Sequence, residues 1–135
     1  MPASPLAVRV ILVDDNDMTR ALLRGVLAGA GYDVVGEAGD GEQGVELGLQ
    51  LKPDLVCLDI QMPKTDGLEV LKRLKAELPM TTVVMVTAST DRDTVQASIA
   101  AGAEGYIVKP FNSARVLEAV AAALAKRRGK PRPAG

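Results

Sequence analysis

The chain is expected to fold as an α/β domain built on a doubly wound, five-stranded parallel sheet. Three observations predict it. Short apolar runs alternate with segments of helical length and periodicity through most of the 135 residues. The runs are rich in Val, Ile and Leu and nearly free of polar interruption, which suits strands covered on both faces. Four of the runs end in a polar or charged residue followed by a turn, and in an open parallel sheet such ends share one edge.

The elements follow in order. Residues 8–12 form the first strand and lead into Val13-Asp14-Asp15. The segment 17–29 places Met18, Leu22, Val26 and Leu27 at helical spacing, with Asp15 or Asn16 able to cap it and Gly29 or Gly31 able to end it. Residues 32–38 read as a second strand. Residues 40–51 give a helix with Val45, Leu47 and Leu51, stopped by Pro53. The run 55–58 ends at Asp59, and a turn through Gln61-Met62-Pro63-Lys64-Thr65-Asp66-Gly67 follows.

Leu68, Leu71, Leu74 and Leu78 then share one helical side, and Pro79 ends that helix. Residues 82–87 form the fourth strand. A weaker helix over 91–101 carries Val95 and Ile99. Residues 106–108 form the last strand, closed by Lys109-Pro110, and 113–125 the last helix, with Val116, Leu117, Val120 and Leu124. Five strands alternating with five helices imply right-handed crossovers and a single domain over 8–125. Residues 1–7 are expected to be a flexible N-terminus and 126–135 a basic flexible tail.

Composition narrows the chemistry. The chain has no histidine, so histidine triads, histidine general bases and histidine metal sites are excluded within it. A single cysteine, Cys57, rules out an internal disulfide and a thiolate zinc site, and fits a reducing, cytoplasmic setting. No apolar stretch approaches the roughly 18 residues that span a bilayer, and the start does not read as a signal peptide. Only Tyr32, Tyr106 and Phe111 are aromatic, so the core is aliphatic.

Five of the 16 basic residues lie at the end, as Lys126, Arg127, Arg128, Lys130 and Arg132, leaving 11 against 17 acids elsewhere. That run suits the cationic end of a helix followed by a Pro-rich terminus. No groove-reading element accompanies it, so direct nucleic-acid binding and membrane insertion are not expected.

The strand ends bring Asp14, Asp15, Asp59, Thr87 and Lys109 to one edge. Two carboxylates about 4 Å apart repel by roughly 4 kcal/mol at an effective dielectric near 20, against a domain stability of about 5–15 kcal/mol. Three need a counter-charge. Lys109 supplies one, and a divalent cation of the Mg²⁺ type, which accepts one or two carboxylates, supplies more. Asp14 and Asp15 can alternatively serve as helix caps, Thr87 as a cap, and Lys109 as a surface turn residue. Lysine before proline is held extended, and the bond has an appreciable chance of being cis.

These residues together resemble the receiver domain of two-component response regulators, the CheY-like, flavodoxin-like fold with strand order 2-1-3-4-5. The resemblance covers nearly the whole chain. It rests on Asp14-Asp15, Leu58-Asp59-Ile60-Gln61-Met62-Pro63, Asp66-Gly67, Val86-Thr87-Ala88, Ala101-Gly102-Ala103 and Lys109-Pro110-Phe111. It implies that Asp59 is the phosphoacceptor. Asp15, Asp59 and the Gln61 backbone carbonyl would bind Mg²⁺ or Mn²⁺ directly, with Asp14 helping through water. Thr87 and Lys109 would contact the phosphoryl oxygens, and Tyr106 would be the aromatic that turns inward as Thr87 moves. Gln61 and Ser89 occupy positions thought to tune dephosphorylation, and Thr65 stands where an apolar residue is frequent.

The implied function is that of a phosphorylation-activated switch. The donor would be a sensor histidine kinase or a histidine phosphotransfer protein. The signal would leave through the face made by 91–101, the Tyr106 strand and 113–125 toward an effector protein or domain. The molecule would be monomeric, or dimeric on phosphorylation. It would catalyse only its own phosphorylation and dephosphorylation, either as a stand-alone receiver or as the receiver part of a longer regulator. An aspartyl-nucleophile phosphatase on a similar fold is the alternative, but Asp59-Ile60-Gln61 lacks that family's second Asp. A flavin carrier would want a Ser/Thr- and Gly-rich loop where Asp14-Asp15 stand, and no Gly-x-x-x-x-Gly-Lys-Ser/Thr sequence is present.

Overall fold

A computed structural model describes residues 7–128. Its strands are β1 (Arg9–Val13), β2 (Asp33–Ala38), β3 (Leu55–Leu58), the short pair β4 (Gln61–Met62) and β5 (Thr65–Asp66), then β6 (Thr82–Thr87) and β7 (Gly105–Val108). The helices are α1 (Asp17–Gly29), α2 (Gly41–Leu51), α3 (Gly67–Glu77), α4 (Arg92–Ala100) and α5 (Ser113–Arg128). The main sheet runs β2-β1-β3-β6-β7 with every pair parallel. In order along the chain those are the second, first, third, fourth and fifth long strands, as expected.

Alternation along the strands divides the core into two layers. Ile11, Val13, Val56, Leu58, Val83 and Met85 face the layer that includes Val45, Val70, Leu71 and Leu74 of α2 and α3. Val10, Leu12, Leu55, Cys57, Val84 and Val86 face Leu23, Leu27, Val116 and Val120 of α1 and α5. Each fully buried aliphatic side chain contributes about 1.5–3 kcal/mol through removal from water. Both sheet faces are therefore dry, which is why β1, β3 and β6 read as unbroken apolar runs.

The structure adds to and corrects the sequence reading at two places. The expected turn after Asp59 folds as a small antiparallel hairpin, with Gln61 opposite Asp66 and Met62 opposite Thr65, closed by Lys64 at φ 65°. The last helix does not stop at 125. It continues to Arg128, so the first three residues assigned to a flexible tail are helical. The alanine-rich stretch before them has high helix propensity, and cations suit a helix C-terminus. Residues 129–135 and 1–6 of the expected flexible ends lie outside the described residues.

Candidate functional site

The β1–β3 pairing brings the acids together. Asp14 continues β1 and Asp59 continues β3, and the ladder extends one step past each strand: the Asp59 N–H donates to the Val13 carbonyl at 2.9 Å and the Asp14 N–H to the Ala38 carbonyl at 3.0 Å. Carboxylate oxygens of Asp14, Asp15 and Asp59 all lie within 4.8 Å of one another. Asp14 is only 2 % exposed and Asp59 3 %, whereas Asp15 faces solvent. Neither Asp14 nor Asp15 caps α1. Asn16 does, its side-chain oxygen accepting the Thr19 N–H at 2.9 Å.

Lys109 crosses the edge from the end of β7. Its Nζ lies 3.0 Å from Asp14 Oδ2 and 3.1 Å from Asp59 Oδ2. Burial opposes the ammonium charge, but hydrogen bonding and attraction to the two aspartates outweigh it and raise the Lys109 pKa. Burial raises the Asp59 pKa. The Gln61 N–H and Lys109 pull it back, and Asp14 pushes it up further. The Lys109-Pro110 peptide bond is cis.

One lysine leaves the three acids undercompensated. Asp14 Oδ1 accepts the Asn16 N–H at 2.8 Å and Asp59 Oδ1 the Gln61 N–H at 3.0 Å. Asp14 Oδ2 is buried, and the cation beside it is the Lys109 ammonium at 3.0 Å, which it shares with Asp59 Oδ2. Two buried carboxylates sharing one ammonium remain costly. They are also what a hard cation requires, so the donor set fits a divalent ion held by carboxylate and carbonyl oxygens.

The remaining expected residues are nearby but otherwise engaged. Thr87 ends β6 fully buried. Its carbonyl accepts the Lys109 N–H at 2.9 Å, and its hydroxyl accepts the Ser89 N–H at 3.3 Å. The Tyr106 hydroxyl donates to the Ser89 carbonyl at 3.0 Å. Burial and the Asp91 charge raise the Tyr106 pKa, so its hydroxyl stays protonated and able to donate. Gln61 sits in the hairpin with an exposed side chain, and its N–H donates to Asp59 Oδ1 at 3.0 Å.

Two supports were not read from the sequence. Gly67 opens α3 under the acidic loop, where a Cβ would lie 2.4 Å from Ile60 Cα and 2.8 Å from the Asp59 carbonyl oxygen. Arg20 of α1 reaches back to the carbonyl oxygen of Asp14 at 2.5 Å. Nothing in the spacing marks Arg20, because a charge on an amphipathic helix ordinarily reads as solvated surface.

A comparison with protein families matches residues 10–121 to the response regulator receiver domain. The chain belongs to that family. It is 43% identical over 112 residues to the CcdB protein of Bacillus subtilis, covering 83% of this chain and 93% of that protein. It is 39% identical to the chemotaxis protein CheY of Thermotoga maritima, with the same coverage of each chain. Among solved structures, a complex of CheX with CheY, BeF₃ and Mg²⁺ from Borrelia burgdorferi superposes with a TM-score of 0.81 at 32% identity, over 84% of this chain and 86% of that one. The chain is thus a receiver of a phosphorylation-activated two-component response regulator, a signalling module, and nothing supports the phosphatase alternative. No described helix is long and apolar enough to cross a membrane.

Proposed function

We propose that Asp59 is the residue that accepts the phosphoryl group. The observation that carries this reading is the Asp59 carboxylate itself: buried, 3.1 Å from the Lys109 ammonium and beside two further acids at the sheet edge. An Asp59 oxygen attacks phosphorus in line with the donor. A new O–P bond forms, the bond from phosphorus to the donor nitrogen breaks, and its electron pair stays on the donor imidazole. Lys109 and the Thr87 hydroxyl stabilise the equatorial oxygens.

Asp14, Asp15, Asp59 and the Gln61 carbonyl would hold Mg²⁺ or Mn²⁺. When bound, the ion neutralises the charge developing on the transferred group. The solved CheY complex with BeF₃ and Mg²⁺ supports that assignment by likeness. Dephosphorylation uses the same residues: water attacks phosphorus, the O–P bond to Asp59 breaks, and its electron pair returns to the carboxylate as inorganic phosphate leaves, so the domain acts only on itself.

The donor is a histidine kinase or a histidine phosphotransfer protein, as membership of the receiver family implies, and the 135 residues hold no histidine that could stand in for it. An apolar pocket lined by Thr19, Leu22, Ala88, Lys109, Pro110 and Phe111 shares Lys109 with the acids, and Leu22 is exposed there. That surface suits a protein donor. Thr87 and Tyr106 share Ser89, so movement of the Thr87 hydroxyl toward a phosphoryl oxygen releases the segment that the tyrosine holds, and the α4–β7–α5 face carries the change to an effector. These partners and the single buried thiol suit a cytoplasmic protein, monomeric or dimerising on phosphorylation.

The test is incubation with acetyl phosphate and Mg²⁺, followed by intact mass measurement. The wild type should gain one phosphoryl group that hydroxylamine removes, and Asp59→Asn should gain none. Equal labelling of the variant would sink the assignment.

A further inference from the structure

We infer that Arg20 is a positioning residue for the cation site, acting on the backbone that presents Asp15. The inference rests on the reading of Asp14, Asp15 and Asp59 as cation ligands. Arg20 is largely buried, and its guanidinium joins three segments. Nη1 donates to the Asp14 carbonyl at 2.5 Å, Nε to Glu37 Oε1 at 3.2 Å near the end of β2, and Nη2 to Asp17 in the first turn of α1. Glu37 is fixed in turn by Arg24.

The bond to the Asp14 carbonyl matters most. That oxygen belongs to the peptide joining Asp14 to Asp15, so fixing it fixes the plane from which the Asp15 Cα departs. Asp14 is also held through its own carboxylate, which accepts the Asn16 N–H at 2.8 Å. Asp15 is different. Among the described residues its carboxylate makes no hydrogen bond and no ion pair, and it faces solvent. Its aim depends on the loop backbone, which the Asp14 carboxylate holds at the Asn16 N–H on one side and Arg20 holds at the Asp14 carbonyl on the other. The planar fork of an arginine can serve three acceptors in fixed directions; a lysine ammonium on a flexible stem cannot.

Charge and position make opposite predictions, which allows the inference to be tested. Arg20 is a cation near a cation site. If it acted only through charge, its removal would tighten cation binding, and Arg20→Lys would change nothing. If it positions Asp15, Arg20→Lys should weaken binding although the charge is kept. Outer partners that orient metal ligands typically change affinity by about 10–100-fold, and the lower end applies to one ligand of several.

The experiment is Mg²⁺ titration of the 135-residue wild type, Arg20→Lys, Arg20→Gln and Arg73→Gln. Binding is followed by amide shifts of Asn16 and Gln61, and thermal melting of each variant is recorded beside it. Arg73→Gln removes an exposed charge that pairs with Glu42 and makes no bond to the Arg20 network. We expect about 10-fold weaker binding for Arg20→Lys and Arg20→Gln, and binding for Arg73→Gln within about twofold of wild type. Wild-type affinity in Arg20→Lys, or tighter binding in Arg20→Gln, overturns the inference. So does a loss that follows melting temperature equally across all three variants. Should Arg20→Lys not fold, Arg20→Gln decides alone, since charge and position then predict opposite signs. A wild type that binds no Mg²⁺ overturns the cation reading and this inference together, and is distinguished by failing before any variant is compared.

Discussion

Asp59 is placed where its charge weighs against folding until something binds. Burial is the main reason its pKa is raised, with Asp14 adding repulsion and the Gln61 N–H and Lys109 offsetting part of it. The folded protein therefore holds the Asp59 proton more tightly than the unfolded chain does. The resulting stabilisation is full below the ordinary carboxylate pKa and is lost as pH rises through the raised folded value. At pH 7 without divalent cation, Asp59→Asn should consequently melt a few degrees above wild type, where roughly 1 kcal/mol corresponds to about 4 °C. The gap should close toward pH 3, and it should narrow when Mg²⁺ binding stabilises the wild type by mass action. Calorimetric melts at pH 7 and pH 4, with Mg²⁺ and with chelator, check both signs. A variant that melts below metal-free wild type at pH 7 would show that the Lys109 pairing outweighs the burial cost.

At the scale of elements, the site depends on how closely α3 approaches the loop after β3. At Gly67 the nearest atoms to an added Cβ are backbone atoms of Ile60 and Asp59, at 2.4–2.8 Å, and no rotamer change relieves them. Gly67→Ala should lower stability by about 1–3 kcal/mol, the usual cost of overpacking, and slow phosphoryl acceptance by displacing Asp59. Gly25 in α1 is the contrast. An added Cβ there meets nothing within 4 Å, so Gly25→Ala should raise stability by about 0.5–1 kcal/mol with unchanged phosphorylation. Urea denaturation and acetyl phosphate labelling of the two variants separate helix propensity from loop geometry.

The same contrast shows what the sequence could reveal. β1, β3 and β6 were legible because both their faces are buried, and Asp14, Asp59, Thr87 and Lys109 because a parallel sheet gathers its C-terminal ends. Gly67 was quoted as part of a motif, but its contact with Ile60 depends on a three-dimensional approach that spacing does not encode. The hairpin after Asp59 escaped because its strands are two residues each, too short for periodicity. The continuation of α5 to Arg128 escaped because a basic run reads as tail and as helix end alike.

Over the whole molecule, the two edges of the sheet carry different duties. The C-terminal edge holds unbalanced acids. At the N-terminal edge, Glu104 is buried and balanced: its Oε2 accepts from Lys75 Nζ at 2.7 Å and its Oε1 from the Val83 N–H at 2.9 Å. Lys75 also donates to the Thr81 carbonyl at 2.8 Å, and the Thr81 hydroxyl to the Pro53 carbonyl at 2.7 Å. This network ties the end of α3 to the starts of β3, β6 and β7. Removing one member of a buried, hydrogen-bonded pair costs about 3–5 kcal/mol, because the partner charge stays buried. Glu104→Gln keeps the shape and some hydrogen bonding, so about 2–3 kcal/mol is expected, within the cost of a buried polar group left poorly matched. Sites far apart without shared partners act nearly additively. Glu104→Gln should therefore lower the urea midpoint strongly while leaving Mg²⁺ affinity and phosphorylation of the remaining folded protein at wild-type levels. Arg20→Lys should do the reverse, weakening Mg²⁺ with little effect on the midpoint. A Glu104 variant with altered Mg²⁺ affinity would mean that the sheet transmits strain from one edge to the other, and the division of duties proposed for this receiver would fail.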